Sequence, residues 1–199
     1  MGKRDLILRV AGELFAAEGY DGTTVDEIAS KASVNKAMIY YYFKNKEDLY
    51  QTVLRSSIEK VLNKLRENIK DFAKPEESIE IYLRSFYEQA KQDKPFLRIL
   101  LMEIASGGKH MLDDTVGVFV NILQILQNIL ESGVKTGVFR NVNPKITHFT
   151  IVGALSFYLC SSEIRKRFKD KIGKVPTLAD DSEEEIKEIT KIVLRGLKA

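Results

Sequence analysis

Residues 23–49 read TTVDEIASKASVNKAMIYYYFKNKEDL and predict two short helices in close succession. Thr24 and Glu27 have the spacing of a capping box, in which two side chains satisfy backbone N–H groups at a helix start. A second helix is predicted over Asn35–Phe43, and only two residues separate it from the end of the first. Two short helices joined by so tight a turn are typical of a helix-turn-helix.

Longer helices are predicted on both sides of this pair. Upstream, apolar residues recur at helical spacing from Leu6 to Phe15, and Gly19 stands where a C-terminal cap belongs. Downstream, Asn45 caps a long helix whose first turn is acidic, as the helix dipole prefers. We therefore assign residues 1–48 to a three-helix helix-turn-helix domain that binds DNA.

The remaining residues, 49–199, predict a second helical domain. A helix over about Met111–Lys135 is apolar over most of its circumference and is expected to be central. No alternating pattern predicts a strand, so we expect an all-α protein of about nine helices. The other predicted elements are helices beginning at Pro75, Pro95 and Pro144, an irregular connection over about Phe168–Asp181, and a last helix over Ser182–Leu197.

Composition argues against several other classes of protein. The longest uncharged run, Ile146–Ser162, is shorter than the roughly 20 residues of a membrane span, and the charged N-terminus lacks a signal peptide. We expect a cytoplasmic protein with no membrane partner. Cys160 is the single cysteine, and His110 and His148 stand far apart in the sequence. We expect no enzyme, no catalytic residue, no cofactor and no metal site.

Charge permits DNA binding without establishing it. The net charge is only +3, but residues 28–46 contain four lysines and no acid. Lys36 is placed to reach base edges or phosphates, and three consecutive tyrosines, residues 40–42, offer hydroxyl donors. A plain surface hairpin within a helical bundle is the alternative. Three tyrosines beside lysines on so short a helix count against it, because a core needs only one or two such rings.

The N-terminal quarter of the chain resembles the head of the tetracycline-repressor (TetR) family. The matching residues are Gly19-Tyr20, Thr23-Thr24, Glu27-Ile28-Ala29, Val34, Ile39-Tyr40-Tyr41-Tyr42-Phe43 and Lys46-Glu47-Asp48-Leu49. Ser33 departs from the glycine that is usual in the family's turn. The resemblance implies that Thr24, Tyr40 and Lys46 hold phosphates of double-stranded DNA. It also implies that the bases or the groove wall face Lys36, Ala37, Met38, Tyr41 and Tyr42.

The family's body dimerises through its last two helices and often holds an inducer, which the resemblance implies here too. Residues 146–162 are apolar on more than one face, so burial in a four-helix dimer seam is expected, with burial inside a monomer as the alternative. The predicted homodimer residues are Val152, Leu155, Tyr158, Leu159, Ile186, Ile189 and Val193.

A small-molecule pocket is predicted from aromatic residues and a polar stripe. Its candidate residues are Tyr82, Phe86, Phe96, Glu103, Phe119, Asn121, Gln124 and Asn128. The alternatives are that the aromatic rings are ordinary core and that the polar stripe meets solvent. Glu103 is expected either to recognise a cationic ligand or, more simply, to be exposed near a helix end.

These expectations combine into a ligand-responsive repressor that binds a palindromic operator as a dimer. An activator is the less common outcome of the same architecture. Two rivals stay open: a DNA-binding dimer without a ligand, and a helical protein–protein adaptor with no role at nucleic acid.

Overall fold

The computed structural model describes residues 2–172 and 183–199, and within them the chain forms ten helices and no β-strand. The helices are α1 Lys3–Gly22, α2 Val25–Lys31, α3 Lys36–Tyr42, α4 Lys46–Asn68, α5 Pro75–Gln92, α6 Lys94–Ala105, α7 Asp113–Lys135, α8 Pro144–Cys160, α9 Ser162–Ile172 and α10 Glu183–Leu197. The expectation of an all-α protein is confirmed. None of the helices described is both long and apolar enough to cross a membrane.

The chain folds as two compact units. Unit 1 comprises residues 1–60 and 93–119, and unit 2 comprises residues 61–92 and 120–199. Unit 1 thus extends beyond the predicted head, since α6 packs against α1 within it. The domain boundary placed at residue 48 stays a prediction.

The core of the head is built by the first three helices and the start of α4. Helices α1, α2 and α3 pack against one another, and Phe15, Ile28, Ile39 and Leu49 are almost fully buried there. Apolar side chains four or so residues apart on each helix face this core, as their spacing predicts. The regular path of α1 is broken at Gly19, whose φ of +75° is left-handed.

Caps and a left-handed turn set the boundaries of the two short helices. Thr24 and Glu27 form the predicted capping box at the start of α2. The Asn35 side chain caps α3 by accepting a hydrogen bond from the backbone N–H of Met38, 2.7 Å away. Between these helices Ser33 adopts a φ of +52°. The turn therefore has the left-handed geometry that glycine favours, although the residue that adopts it is a serine.

Unit 2 is centred on α5, which packs against α8 and α10. Tyr82 of α5 is buried, and its hydroxyl lies 2.7 Å from Nδ1 of the buried His148 on α8. Burial lowers the pKa of His148, because the apolar surroundings disfavour the charged ring. The same burial raises the pKa of Tyr82, so the phenol stays protonated and able to donate. The only buried histidine in this unit is thus satisfied by the chain itself, within the described residues.

The prediction of about nine helices misses α9. The first residues of the predicted irregular connection are helical. Residues 168–172 belong to α9, which carries three consecutive basic residues at positions 165–167 and leaves Ile164 and Phe168 exposed. The rest of that connection, residues 173–181, lies outside the described residues. The last helix is confirmed from Glu183 onward, whereas Ser182 is also outside that range.

Two helices, one expected to be central and the other to be buried on all sides, expose one face within the single chain. Helix α7 buries Ile122, Leu126 and Ile129 but leaves Val116 and Val120 exposed. Helix α8 likewise buries Ile151 and Leu155 on one side, while Phe157 on the other side is 76% exposed. A helix that is apolar all round therefore keeps an uncovered apolar face in the isolated chain.

Candidate nucleic-acid interface

The solvent-facing side of α3 carries three aromatic rings. Tyr40, Tyr41 and Tyr42 are all exposed, and Tyr41 is 81% exposed. Ile39 points the other way into the core, which fixes the rotation of the helix. Exposure of one large aromatic ring is common in soluble proteins, but three in a row leave an apolar and hydroxyl-rich surface that core packing does not explain.

Lys36, Ala37 and Met38 occupy the first turn of the same helix. Lys36 and Ala37 are exposed and Met38 is half-buried, so all three are accessible from solvent. The ammonium of Lys36 lies 2.8 Å from a carboxylate oxygen of Asp26 on α2. This hydrogen bond raises the pKa of Lys36, which is a cation at neutral pH in any case.

The predicted phosphate contact at Thr24 has its hydroxyl in use. Its Oγ donates to Glu27 Oε2 at 2.7 Å and accepts from the Glu27 backbone N–H at 3.2 Å. Glu27 also accepts from the Thr24 backbone N–H, and these bonds lower the pKa of its carboxyl. Thr24 therefore holds the start of α2 in place, and a phosphate contact there would have to share the hydroxyl.

Lys46 is also engaged within the protein. Its ammonium donates to the backbone oxygens of Tyr20 and Thr23, at 2.7 and 2.9 Å, and lies 4.3 Å from the centre of the Tyr20 ring. Lys46 thus ties the start of α4 to the last turn of α1 and to Thr23 just after it. Its predicted role at phosphate stays a prediction, to which the structure adds this positioning role.

A buried polar cluster, not expected from the sequence, adjoins this lysine. Glu103 of α6 is 2% exposed, so the expectation of an exposed residue near a helix end is wrong. Its carboxylate accepts from the Tyr50 hydroxyl at 2.5 Å and from the backbone N–H of His110 at 3.1 Å. The His110 ring stacks on Tyr20, with 4.5 Å between ring centres. Burial and the Glu103 carboxylate raise the pKa of Tyr50.

The sequence signal for this cluster is weak, because its members come from segments that stand far apart in the chain. Asp26 differs from this cluster, because it lies on α2 and contacts α3 within the two-helix unit that the sequence predicted. Its closeness to Lys36 could therefore have been inferred from the sequence. Neither Asp26 nor Tyr20 is among the residues predicted to form the DNA-binding site.

The predicted dimer residues divide between core and surface. Leu155, Leu159 and Ile186 are buried in the chain's own unit 2, and the other four are half-buried. The large exposed apolar side chains lie at neighbouring positions on the same helices: Ile146, Phe149 and Phe157 on α8, and Ile192 on α10. The predicted set therefore includes inward-facing positions, and the dimer interface stays a prediction.

The predicted ligand residues fall in both units. In unit 1, Phe96 and Glu103 are buried and Phe119 is half-buried; in unit 2, Tyr82 and Phe86 are buried. Asn121 and Gln124 are exposed and Asn128 is half-buried, with Gln124 donating to Asn128. The ligand pocket stays a prediction. Across the described residues, no group of three or more His, Cys, Asp or Glu side chains is arranged to hold a metal ion.

Both parts of the chain match known regulators. The family model described as "Bacterial regulatory proteins, tetR family" matches residues 7–53. The model described as "Tetracyclin repressor-like, C-terminal domain" matches residues 75–189, more than half of the chain. The chain belongs to the TetR family. Its members are DNA-binding transcriptional regulators, and ligand-responsive repression is typical of them.

Individual relatives agree with this assignment to the TetR family. The HTH-type transcriptional regulator RutR of Escherichia coli (strain K12) is 30% identical over 156 residues, which cover 78% of this chain and 73% of RutR. The HTH-type transcriptional repressor NicS of Pseudomonas putida is 30% identical over 165 residues, covering 80% and 76%. The solved structure of PfmR from Thermus thermophilus, a TetR family regulator, has a TM-score of 0.75 at 22% identity and covers 100% of this chain and 99% of its own; it shows the shared fold.

Proposed function

We propose that this chain is a homodimeric repressor that reads a palindromic operator through α3 and releases it when a small molecule binds the body. The observation that supports it most is the solvent face of α3, where Lys36 and three tyrosines are exposed on a seven-residue helix. A helix of this length, fixed by α1 and α2, fits the major groove with its first turn toward the base edges. An operator as partner would place the protein in the cytoplasm, and binding of this kind requires no catalysis.

The roles of individual side chains follow from their surroundings. Lys36, Ala37, Met38, Tyr41 and Tyr42 are proposed to meet bases or the groove wall, and Tyr40, Thr24 and Lys46 to meet phosphates. Among the phosphate contacts, Lys46 would also keep Thr23 and Tyr20 in place through its two hydrogen bonds. Its loss would therefore weaken binding in two ways, by removing a cation and by loosening the approach to α2.

The homodimer is proposed to form through the exposed apolar faces of α8 and α10. Ile146, Phe149 and Phe157 are separated by three and eight residues and so lie on one side of α8, with the exposed Gly153 between them. Ile192 is the corresponding exposed side chain on α10. A two-fold axis at these helices would match the symmetry of a palindromic site.

A second candidate is a DNA-binding dimer that has no small-molecule ligand. The pairing of the two buried polar residues in the predicted ligand set favours it: Glu103 is satisfied by Tyr50 and His110, and Tyr82 by His148. A site built for a polar ligand would need such groups to be free or to exchange partners. A library of small molecules in which no compound raises the unfolding temperature would support this second candidate.

The decisive experiment selects bound fragments from the source genome and measures binding to the selected site as salt varies. We expect a palindromic site and an affinity that falls steeply with salt. Lys46→Ala should weaken binding to all sequences alike, reduce the salt slope by about 1 and lower the unfolding temperature. Lys36→Ala or Tyr41→Ala should instead change the preferred sequence. Absence of any selected site, or binding that ignores salt, would contradict the proposal and favour an adaptor.

A further inference from the structure

Asp26 is an exposed acid on the face of the head that is proposed to meet DNA. Its carboxylate receives the Lys36 ammonium at 2.8 Å, and the two side chains are 72% and 47% exposed. An ion pair so exposed contributes little to folding stability. The other acids beside these helices stabilise local structure, since Glu27 caps α2 and Asp48 accepts from the Lys44 backbone N–H. Asp26 also lies in the first turn of α2, where the helix dipole favours an acid, but that position does not require its carboxylate to meet Lys36.

Lys36 without a partner would be a long, flexible cation at the start of the recognition helix. Such a side chain reaches phosphates of any sequence, because phosphates surround both edges of the groove. A carboxylate fixed on α2 restrains the ammonium on the line between the two helices and repels nearby phosphates. Both effects penalise binding that depends on phosphate contacts alone.

We propose that Asp26 is a specificity-determining residue of the DNA interface: it positions Lys36 for a base edge and lowers affinity for non-operator DNA. Asp26 repels the phosphates of non-operator DNA, and at the operator it orients Lys36. Combining repulsion of competitors with attraction of the correct partner is a general route to specificity. This inference rests on the proposed DNA-binding function and adds an acidic residue to a site predicted from basic and aromatic ones.

The test uses the full-length protein and two duplexes of equal length, the selected operator and a scrambled sequence of the same composition. Fluorescence anisotropy gives both affinities over a range of salt concentrations. For Asp26→Asn we expect affinity for the scrambled duplex to rise about three- to ten-fold at low salt, with the salt slope steeper by up to about 1. Operator affinity should stay the same or fall, so that the ratio of the two drops at least about three-fold.

Three further variants separate positioning from simple removal of charge. Asp26→Glu keeps a carboxylate within reach of Lys36 and should retain most of the wild-type ratio. In a Lys36→Met background, Asp26→Asn should lower the ratio much less than in the wild type, because only the repulsion of phosphates remains to be lost. Glu13→Gln is the matched control, because it removes one acid from an exposed 2.7 Å ion pair with Arg9 on α1. It should not change the ratio.

Each alternative outcome has a clear meaning. An Asp26→Asn protein with the wild-type ratio, an equal drop in the Lys36→Met background, or an equal drop for Glu13→Gln would overturn the inference. A wild-type protein that selects no DNA site would instead overturn the proposed function. The two failures are therefore distinguishable in one set of titrations.

Discussion

At the scale of single residues, the Tyr82–His148 pair makes the stability of the protein depend on pH. The neutral ring of His148 is favoured in the folded chain because burial lowers its pKa below the ordinary value of 6.5. As the pH falls below 6.5, His148 binds a proton in the unfolded chain but stays neutral in the folded chain. Stability is then lost progressively toward the lower pKa of the folded state.

We therefore predict that the urea midpoint of unfolding falls between about pH 7.5 and about pH 5.5. His148→Asn should be less stable at the higher pH, because Tyr82 loses its partner, and should lose much of this pH dependence. His110→Gln is the matched control, since it alters the other histidine of the chain and should keep the dependence on His148. A pH dependence that survives unchanged in His148→Asn would contradict the assignment.

Single residues also show where prediction of the site reached its limit. The exposure of Tyr41 and Lys36 could be predicted, because helical spacing places Tyr41 almost opposite Ile39 and a lysine is seldom buried. The burial of Glu103 could not be, because its partners Tyr50 and His110 come from other elements and burial of a carboxylate depends on such partners. The hydrogen bonds from Lys46 to Tyr20 and Thr23 were likewise beyond local spacing.

At the scale of elements, the turn between α2 and α3 keeps a serine in a left-handed conformation. Ser33 has a φ of +52°, which costs a residue with a side chain about 1 kcal/mol relative to glycine. Ser33→Gly should relieve that cost but adds entropy to the unfolded chain, so we predict a net gain of about 0.5 kcal/mol in unfolding free energy. Chemical denaturation with two-state analysis measures it.

The same substitution three residues earlier is the control for this turn. Ser30 is exposed within α2, where glycine is less favourable than serine by about 0.5 kcal/mol. Ser30→Gly should therefore destabilise the protein while Ser33→Gly stabilises it. If both variants lose stability, the left-handed turn is not a source of strain.

Elements with clear caps were predicted well and elements without them were not. Asn35 and Asn45 each accept a backbone N–H at the helix start that the sequence predicted, at 2.7 and 2.8 Å. Helix α9 has no comparable cap signal: its sequence is strongly charged, and Ile164 and Phe168 are exposed. A strongly charged segment without a clear cap is easily taken for a connection.

At the scale of the whole molecule, the apolar faces of α7 and α8 limit what one sequence can reveal. A side chain covered by its own chain and one covered by a partner have the same apolar character. Leu155 and Phe157 show this, because both suit a buried helix yet the first is buried and the second is 76% exposed. The sequence therefore could not show which face of α8 is covered by its own chain and which face is left exposed.

This exposed face leads to a prediction on assembly. Phe157→Glu places a charge at the centre of the proposed α8 seam, where burying it without a partner would be costly. We expect the variant to sediment as a monomer at concentrations where the wild type is a dimer, with a dissociation constant raised at least about a hundred-fold. Ile104→Glu, which changes an exposed apolar residue of α6 in unit 1, should leave the dimer intact.

Operator binding should weaken in step with dimerisation, because a palindrome engages two heads at once. A duplex with a single half-site should instead be bound equally by the Phe157→Glu variant and by the wild type. A monomeric variant that still binds the full palindrome with wild-type affinity would show that pairing of α8 does not bring the two heads to the operator.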